Sequence, residues 1–152
     1  MSDNEPDSTA LLSLEFLQTH LGFNLRLAYA EANRDFTRRL ENLNLTQRQC
    51  ITLELISANP GTSQIELGQT LGIDRSSMMA ITEELSSRKV IARQRSKVDG
   101  RRQELRLTPR GKAVLKQARA LVEAHDSHFV ERFSKRELNS FIENLRRVHQ
   151  RF

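Results

Sequence analysis

The spacing of apolar residues predicts a chain that is mostly helical. From about Leu11 to Leu43, apolar side chains recur every three or four residues without a proline, which predicts one long helix eased near Gly22. Further helical patterns cover about residues 46–58, 63–71, 75–88, 109–133 and 134–148. Leu138, Phe141, Ile142, Leu145 and Val148 form one apolar stripe on the last of these helices.

Capping residues mark the predicted helix starts. Three pairs have the spacing of a capping box, in which a Ser or Thr and a Glu or Gln three residues later exchange hydrogen bonds with the backbone: Thr46 with Gln49, Ser63 with Glu66, and Ser134 with Glu137. Asp74 and Thr108 are single caps, and Pro109 suits the first helical position. Gly72 suits a left-handed cap at the end of the short helix that Ser63 begins.

The pattern changes from helical to alternating after Lys89. Residues 90–95 and 103–107 predict a two-stranded ribbon, and Asp99 with Gly100 supplies a turn at its tip. Two helices joined by a short turn containing glycine, followed by a ribbon, indicate a winged helix-turn-helix. The expected core of this unit is Leu53, Ile65, Leu67, Leu71, Ile81, Leu85 and Leu105.

The predicted fold class is mainly α with a small two- or three-stranded β wing and long terminal helices. We expect a flexible leader over residues 1–10, a helical dimerisation region formed by 11–43 with 109–152, and a DNA-binding region over 44–108. The outer helices leave apolar stripes that a monomer would expose, so a homodimer is expected. Its twofold symmetry would place two recognition helices roughly 34 Å apart on an inverted repeat. The alternative is a monomer whose two ends pack on each other.

Positive charge is concentrated in one segment. The chain carries a formal charge of +5, but residues 88–112 hold ten basic side chains against two acidic ones, so this segment is +8 and the remainder about −3. A focused cationic patch is typical of phosphate binding, whereas the alternative is a solvated charged hairpin.

Other chemistry has weak support in the sequence. The single cysteine, the acidic N-terminus and the lack of a long apolar stretch predict a soluble cytoplasmic protein without a membrane segment. We expect no enzyme activity, no cofactor and no metal, because the four histidines have no catalytic or metal-binding spacing. His125 and His128, near Glu123 and Asp126, would need ligands from a partner chain, and such residues more often form a solvated helix face.

Several of these motifs together resemble the MarR family of bacterial transcriptional regulators. The resemblance rests on residues 63–77, on Asp99, Arg101, Leu107 and Thr108 in the pattern D-x-R-x-x-x-x-x-L-T, and on a helix order that agrees from about Leu11 to Phe152. It implies a dimeric winged-helix repressor or activator whose affinity for DNA changes when a small molecule, often an aromatic acid, or an oxidant reaches the dimer.

Candidate DNA contacts follow from the helix pattern and from the resemblance. The recognition helix would direct Arg75 toward a guanine or phosphate, and the resemblance implies that Arg101 reaches a minor groove while Asp99 holds the wing. The full set of predicted DNA-binding residues is Ser63, Gln64, Arg75, Ser76, Ser77, Met79, Ala80, Arg95, Lys97, Asp99, Arg101 and Arg102. Ala80 and Glu84 stand where relatives often have a second arginine, so specificity would depend more on DNA shape. Ser63 and Gln64 would equally serve only as caps.

The resemblance also implies an effector pocket where the first, second and fifth helices of the family meet. It would be lined by Phe16, His20, Phe23, Arg26, Tyr29 and Cys50. Aromatic walls with Arg26 or His20 would suit a small aromatic or carboxylated ligand. Packing in the core is the competing interpretation of Phe16 and Phe23, and Cys50 lies at a structural position that does not favour an oxidant switch.

The predicted function is therefore a DNA-binding transcriptional regulator, most simply a homodimeric ligand-responsive repressor of an inverted-repeat operator. The alternative is a winged-helix module for non-specific nucleic-acid or protein binding. The operator sequence, the regulated genes and the effector cannot be deduced from the residues.

Overall fold

The computed structural model describes residues 14–96, 100 and 102–149. Its elements are α1 Glu15–Gln18, α2 Leu21–Leu40, a 3-10 turn Glu41–Leu43, α3 Gln47–Ala58, α4 Gln64–Leu71, α5 Arg75–Ser87, β1 Ile91–Arg95, β2 Gln103–Leu107, α6 Pro109–Val130 and α7 Lys135–His149. The predicted fold class, mainly α with a small β wing, is confirmed. The chain divides into two compact units, one ending at Arg34 and one beginning at Asp35.

The first unit corrects the prediction of one uninterrupted N-terminal helix. A break at Thr19 and His20 separates the single turn of α1 from α2, and it lies before Gly22. The hydroxyl of Thr19 donates to the Phe16 carbonyl, and His20 Nδ1 lies 2.6 Å from the same oxygen. These side chains replace the backbone donors that would continue the helix, so the helix ends there.

The second unit confirms the predicted helix starts. Thr46 and Ser63 each form the expected capping box, Ser134 and Glu137 exchange the same pair of bonds, and Asp74 and Thr108 accept from the backbone three residues ahead. Gly72 has a φ of 62°, the left-handed conformation expected at a helix end. Most boundaries therefore follow from the local sequence.

The wing is an antiparallel pair in which Ile91 lies opposite Leu107 and Arg95 opposite Gln103. Residues just before α4 extend this pairing on the other side of β2. The Gly61 amide donates to the Leu105 carbonyl at 3.0 Å, and the Leu105 amide donates to the Thr62 carbonyl at 2.8 Å. These two hydrogen bonds attach β2 to the segment that precedes α4.

The core lies between α3, α5, the wing and α6. Of the seven predicted core residues, Leu53, Leu67, Leu85 and Leu105 are buried and Leu71 and Ile81 are half-buried. Ile65 is 64% exposed, so its prediction was wrong. The buried side of α4 is centred on Leu67 and Gly68, and a residue two positions before Leu67 lies about 200° away around a helix.

The start of α6 is packed directly against the start of β1. The Thr108 amide and hydroxyl both bond the Val90 carbonyl at 3.1 Å. Gly111 lies so close to that carbonyl that a Cβ at this position would be 1.9 Å from the oxygen. Only glycine therefore permits this contact between helix and strand.

No residue of α7 is buried, although the helix carries the predicted apolar stripe. Phe141 and Val148 are exposed, and Leu138 and Leu145 are half-buried. Within the part of the chain that the structure describes, none of the helices is both long and apolar enough to cross a membrane.

Candidate nucleic-acid interface and ligand cavity

The second helix of the helix-turn-helix, α5, has one exposed and one buried side. Arg75, Ser76, Met79 and Ala80 are exposed and fall one helical turn apart in two pairs, so they share a face. Asp74 accepts from the Ser77 amide at 2.9 Å and begins the helix. The predicted recognition surface is therefore a continuous, open side of α5, from which Ser77 is partly turned away.

Thr82 lies on the buried side of α5 and contacts the neighbouring elements. Its side chain is fully buried between Met78 and Leu85, and its hydroxyl lies 3.0 Å from Gln64 Oε1 on α4. The same hydroxyl accepts a hydrogen bond from Arg93 on β1 at 3.1 Å. Thr82 thus joins α4, the recognition helix α5 and strand β1 of the wing.

We expect Thr82→Val to lower the free energy of unfolding by about 1 kcal/mol, because the contacts of the hydroxyl with Gln64, Arg93 and the Met79 carbonyl are lost. Chemical denaturation followed by circular dichroism measures this change. The control is Thr70→Val, which alters an exposed threonine on α4. Equal stability of the two variants would show that the Thr82 contacts do not hold the unit together.

The structure gives Ser63 and Gln64 specific contacts within the fold. Ser63 is the cap of α4, and its hydroxyl accepts from the Glu66 amide at 3.3 Å. Gln64 is half-buried and bonds Thr82. Both residues lie at the N-terminal end of α4, and their predicted phosphate contacts stay a prediction.

Arg102 joins the wing to α4. Its guanidinium donates to Glu66 at 2.8 and 3.0 Å and reaches the Gly61 carbonyl at 3.3 Å. Glu66 accepts from the Ser63 amide as well, and this bond together with Arg102 lowers the pKa of its carboxyl. Arg95 is exposed at the end of β1. The other predicted wing residues, Lys97, Asp99 and Arg101, lie outside the described residues.

A cavity of about 500 Å³ lies between α3 and α6. Its walls are largely apolar, with Phe36, Ile51, Leu55 and Val122 among the lining side chains. This volume falls in the range of small-molecule sites, about 300–1,000 Å³. The cavity therefore has the size and character of a ligand site.

An ion pair between Glu54 and Arg119 lines one side of this cavity. Arg119 donates two hydrogen bonds to Glu54, at 2.7 and 2.8 Å. The pairing lowers the pKa of Glu54 and raises that of Arg119, so both stay charged. The ion pair uses two of the five N–H donors of the guanidinium, those on Nε and Nη2.

A buried carboxylate at the start of the second unit holds His125. Asp35 is 5% exposed, and its Oδ2 lies 2.8 Å from His125 Nδ1 and 2.6 Å from Arg39 Nε. Arg38 bonds the other carboxylate oxygen. Arg39 and then His125 hold the pKa of Asp35 well below its usual range. The interpretation of His125 as part of a solvated helix face was wrong because Asp35 pairs with it, whereas His128 is exposed as expected.

The predicted effector residues are divided between the two units. Phe16, His20, Phe23, Arg26 and Tyr29 belong to the first, where Phe16 is 76% exposed and its ring centroid is 4.3 Å from that of His20. Cys50 belongs to the second unit and lines the cavity. Burial raises the pKa of its thiol, which disfavours the reactive thiolate. The described residues contain no cluster of three potential metal ligands.

Four polar residues with structural roles were not singled out from the sequence. Asp35 precedes Arg38 and Arg39 at helical spacing, a pattern that indicates an ion pair on the helix. Thr82 is a polar residue within the apolar face of Met78 and Leu85, which is a signal for a buried hydroxyl with partners. Arg119 and Glu54 are 65 residues apart, and no local pattern relates them.

Two helices joined by a tight turn, an open recognition face and an attached β-ribbon define a winged helix-turn-helix regulator. A family model described as MarR family matches residues 43–102. A transcriptional regulatory protein assigned to the hcr operon of Thauera aromatica is 33% identical over 131 residues, which make up 86% of this chain and 79% of that protein. The chain belongs to the MarR family of transcriptional regulators, as its sequence motifs predict.

Solved structures of related regulators agree with this assignment. The transcriptional repressor CouR bound to a 23-mer DNA duplex has a TM-score of 0.87 and 31% identity, covering 92% of this chain and 99% of that one. CouR bound to p-coumaroyl-CoA has a TM-score of 0.85 and 30% identity, covering 93% and 100%. A MarR family protein of Mycobacterium tuberculosis in complex with salicylic acid has a TM-score of 0.67 and 28% identity, covering 85% and 96%.

Proposed function

We propose that this protein is a homodimeric repressor that binds an inverted-repeat operator in double-stranded DNA and responds to a small molecule. The exposed face of α5, held from below by the buried Thr82, is the observation that carries the proposal. A helix fixed in this way enters a major groove with a defined side toward the bases. The role is regulatory, with no catalytic step.

In this proposal α5 reads the major groove and the wing lies along the neighbouring minor groove. Arg75 and the exposed residues after it contact bases or phosphates, and Met79 and Ala80 offer apolar contact to a thymine methyl. Arg95, Lys97, Arg101 and Arg102 supply positive charge along the wing, and Asp99 holds its tip. The amides and side chains of Ser63 and Gln64 position a phosphate at the start of α4.

The homodimer brings two such surfaces together. The amphipathic α7 exposes Phe141, Ile142 and Val148, and a second copy of the chain would remove this apolar surface from water. Twofold symmetry then matches the two halves of an inverted repeat. The relatives bound to DNA, p-coumaroyl-CoA and salicylic acid support both an operator and a small aromatic effector for this chain.

Selection from random duplex DNA tests this function. Wild-type protein is expected to recover one inverted repeat, and Arg75→Ala and Arg101→Ala are each expected to bind it about 10- to 100-fold more weakly because a base or groove contact is lost. Affinities are measured by fluorescence anisotropy at several salt concentrations. The control Lys116→Ala, on the exposed side of α6, removes the same charge from a site that makes no base contact in this proposal.

The other outcomes identify the competing functions. Equal, salt-sensitive binding to every duplex would indicate a non-specific nucleic-acid binder, since that interaction depends on phosphates alone. Absence of DNA binding by folded protein would indicate a protein-binding module. Either result would overturn the operator-binding proposal.

A further inference from the structure

Two arginines attach the two strands of the wing to the two helices of the helix-turn-helix. Arg93 on β1 donates to the Thr82 hydroxyl of α5 at 3.1 Å. Arg102, which directly precedes β2, donates to both carboxylate oxygens of Glu66 on α4, at 2.8 and 3.0 Å. Each strand is therefore attached to a different helix, and these two cations of the basic segment have partners within the fold.

The carboxylate that receives Arg102 is itself held in place. Glu66 is the third residue of α4 and completes its capping box, where it accepts from the Ser63 amide at 2.7 Å and from the Ser63 hydroxyl at 3.0 Å. The Thr62 hydroxyl donates to the same oxygen at 3.2 Å. Glu66 is therefore a fixed acceptor, and it determines the position of the guanidinium bonded to it.

The ion pair of Arg102 and Glu66 attaches the ribbon nearer to its tip than the backbone contacts do. The backbone bonds of Leu105 attach β2 to the segment before α4. Arg102 lies three residues farther toward the tip, roughly 10 Å along the strand at about 3.4 Å per residue. Its guanidinium also reaches the Gly61 carbonyl at 3.3 Å. Two attachments at different distances from the tip restrain the angle between the ribbon and α4 more than either does alone.

The exposure of this ion pair indicates a role other than stability. The side chains of Arg102 and Glu66 are 42% and 47% exposed, and exposed ion pairs contribute little to the free energy of folding. A defined angle of the wing matters more for DNA binding, because a ribbon that is already directed at a groove loses less conformational freedom when it binds.

We propose that Arg102 and Glu66 are positioning residues for the wing, whose ion pair holds the ribbon at the angle from which it meets the DNA beside α5. Arg102 then acts through Glu66 and makes no direct contact with a phosphate. This inference rests on the proposed function, in which the wing lies along the neighbouring groove. It separates Arg102 from the wing cations that contact DNA.

Glu66→Gln removes the ion pair and keeps the capping box. Glutamine completes the equivalent box of α3, where the Gln49 side chain accepts from the Thr46 amide at 3.0 Å. The matched control is Glu137→Gln, because Glu137 has the same place in the capping box that Ser134 forms on α7. The control removes a carboxylate from a capping box without touching the wing.

A double-mutant cycle with Arg102→Gln measures the coupling of the two residues in DNA binding. Dissociation constants are determined by fluorescence anisotropy for wild type, both single variants and the double variant. The duplex is the selected operator or, where selection recovers none, a fixed duplex of mixed sequence. Glu66→Gln is expected to weaken binding about 3- to 10-fold more when Arg102 is present than in the Arg102→Gln background.

The sign of this coupling decides between two roles of Glu66. Loss of one negative charge strengthens DNA binding in both backgrounds, so the cycle cancels that general effect. Absence of coupling would overturn the proposal. Coupling of the opposite sign would also overturn it, because Glu66 would then withhold Arg102 from a phosphate.

Salt dependence distinguishes a positioning residue from a phosphate contact. Each phosphate contact that is lost reduces the slope of log K against log salt concentration by about 0.9. Arg102→Gln is expected to keep the slope of wild type, with Arg95→Gln as the reference for a wing charge that faces solvent. A slope reduced by about 0.9 per protomer in Arg102→Gln would overturn the proposal.

Hydrogen exchange reports on the ion pair without DNA. The Ser96 amide donates to the Arg102 carbonyl at 2.9 Å, so its exchange rate follows the position of residue 102. We expect Glu66→Gln and Arg102→Gln each to raise this rate about 2- to 5-fold, and Glu137→Gln to leave it unchanged. Unchanged exchange in both wing variants would overturn the proposal.

The proposed function and this inference fail in different ways. A protein that recovers no operator but shows the expected coupling and exchange overturns the proposed function alone. Operator binding with unchanged exchange at Ser96 overturns this inference alone. Absence of any DNA binding by folded protein overturns both.

Discussion

Gly111→Ala is expected to lower the free energy of unfolding by about 3 kcal/mol, because the new methyl group overlaps a backbone atom in a packed interior. Its Cβ would lie 1.9 Å from the Val90 carbonyl oxygen. That oxygen accepts from the Thr108 amide, and the Thr108 hydroxyl lies 3.1 Å from it and 2.7 Å from the Lys89 carbonyl oxygen, so a shift of Val90 disturbs these contacts. Relief of the overlap therefore requires separating the start of α6 from the start of β1.

Urea denaturation monitored by circular dichroism measures this loss, with Gly22→Ala as the control. Gly22 lies in α2, and the described residues place no heavy atom within 4 Å of a Cβ there. Gly22 is the second residue of α2 and lies before the helix interior, so the same substitution is expected to stabilise the protein by less than about 0.5 kcal/mol. A Gly111→Ala protein as stable as wild type would show that the junction can shift.

Asp35→Asn is expected to destabilise the protein at pH 7 more than any exposed carboxylate substitution. The variant keeps the shape of the side chain but removes the charge that Arg38, Arg39 and His125 share. A buried network that loses its central charge leaves its partners poorly paired. Thermal melts of wild type, Asp35→Asn and the control Asp126→Asn, an exposed carboxylate on α6, provide the comparison.

The pH dependence gives a second readout of Asp35. Its pKa in the folded protein is lowered, so the carboxylate contributes stability above its unfolded pKa of about 3.9 and loses it as the pH falls from there. Wild type should therefore lose stability steeply below about pH 4, and Asp35→Asn should lose less over the same interval. Parallel curves for the two proteins would contradict a stabilising charge at this position.

Local sequence predicted the helices well because capping is decided by neighbouring residues. Thr46, Ser63 and Ser134 each need only a partner three positions ahead, and the structure shows all three boxes. The break at Thr19 and His20 was missed because it depends on side chains bonding back to a carbonyl, which apolar spacing does not reveal. Ile65 was misplaced because an apolar residue on a short helix does not indicate which side is covered.

The residues of the candidate site also divide into those that local sequence predicts and those that only the tertiary fold brings together. The recognition face of α5 follows from a single helical pattern, so Arg75, Ser76, Met79 and Ala80 could be grouped from the sequence. The pair of Asp35 and His125 joins residues 90 positions apart, and Arg102 reaches Glu66 across 36 positions. Such contacts depend on the tertiary fold, and the cavity beside His125 could not be predicted for that reason.

Because Gly111 packs directly against the Val90 carbonyl, the wing is attached to the N-terminal end of α6. The cavity residues 119–126 lie about 12–22 Å farther along the same helix, at 1.5 Å per residue. A tilt of about 5° around that region displaces the base of the ribbon by roughly 1–2 Å, given this helical rise. The Thr108 amide and the close approach of Gly111 join the base of the ribbon to α6 at the Val90 carbonyl, so the base would follow such a tilt. Under the proposed function, a ligand that tilted α6 from its middle would therefore also change the spacing of the DNA-facing elements.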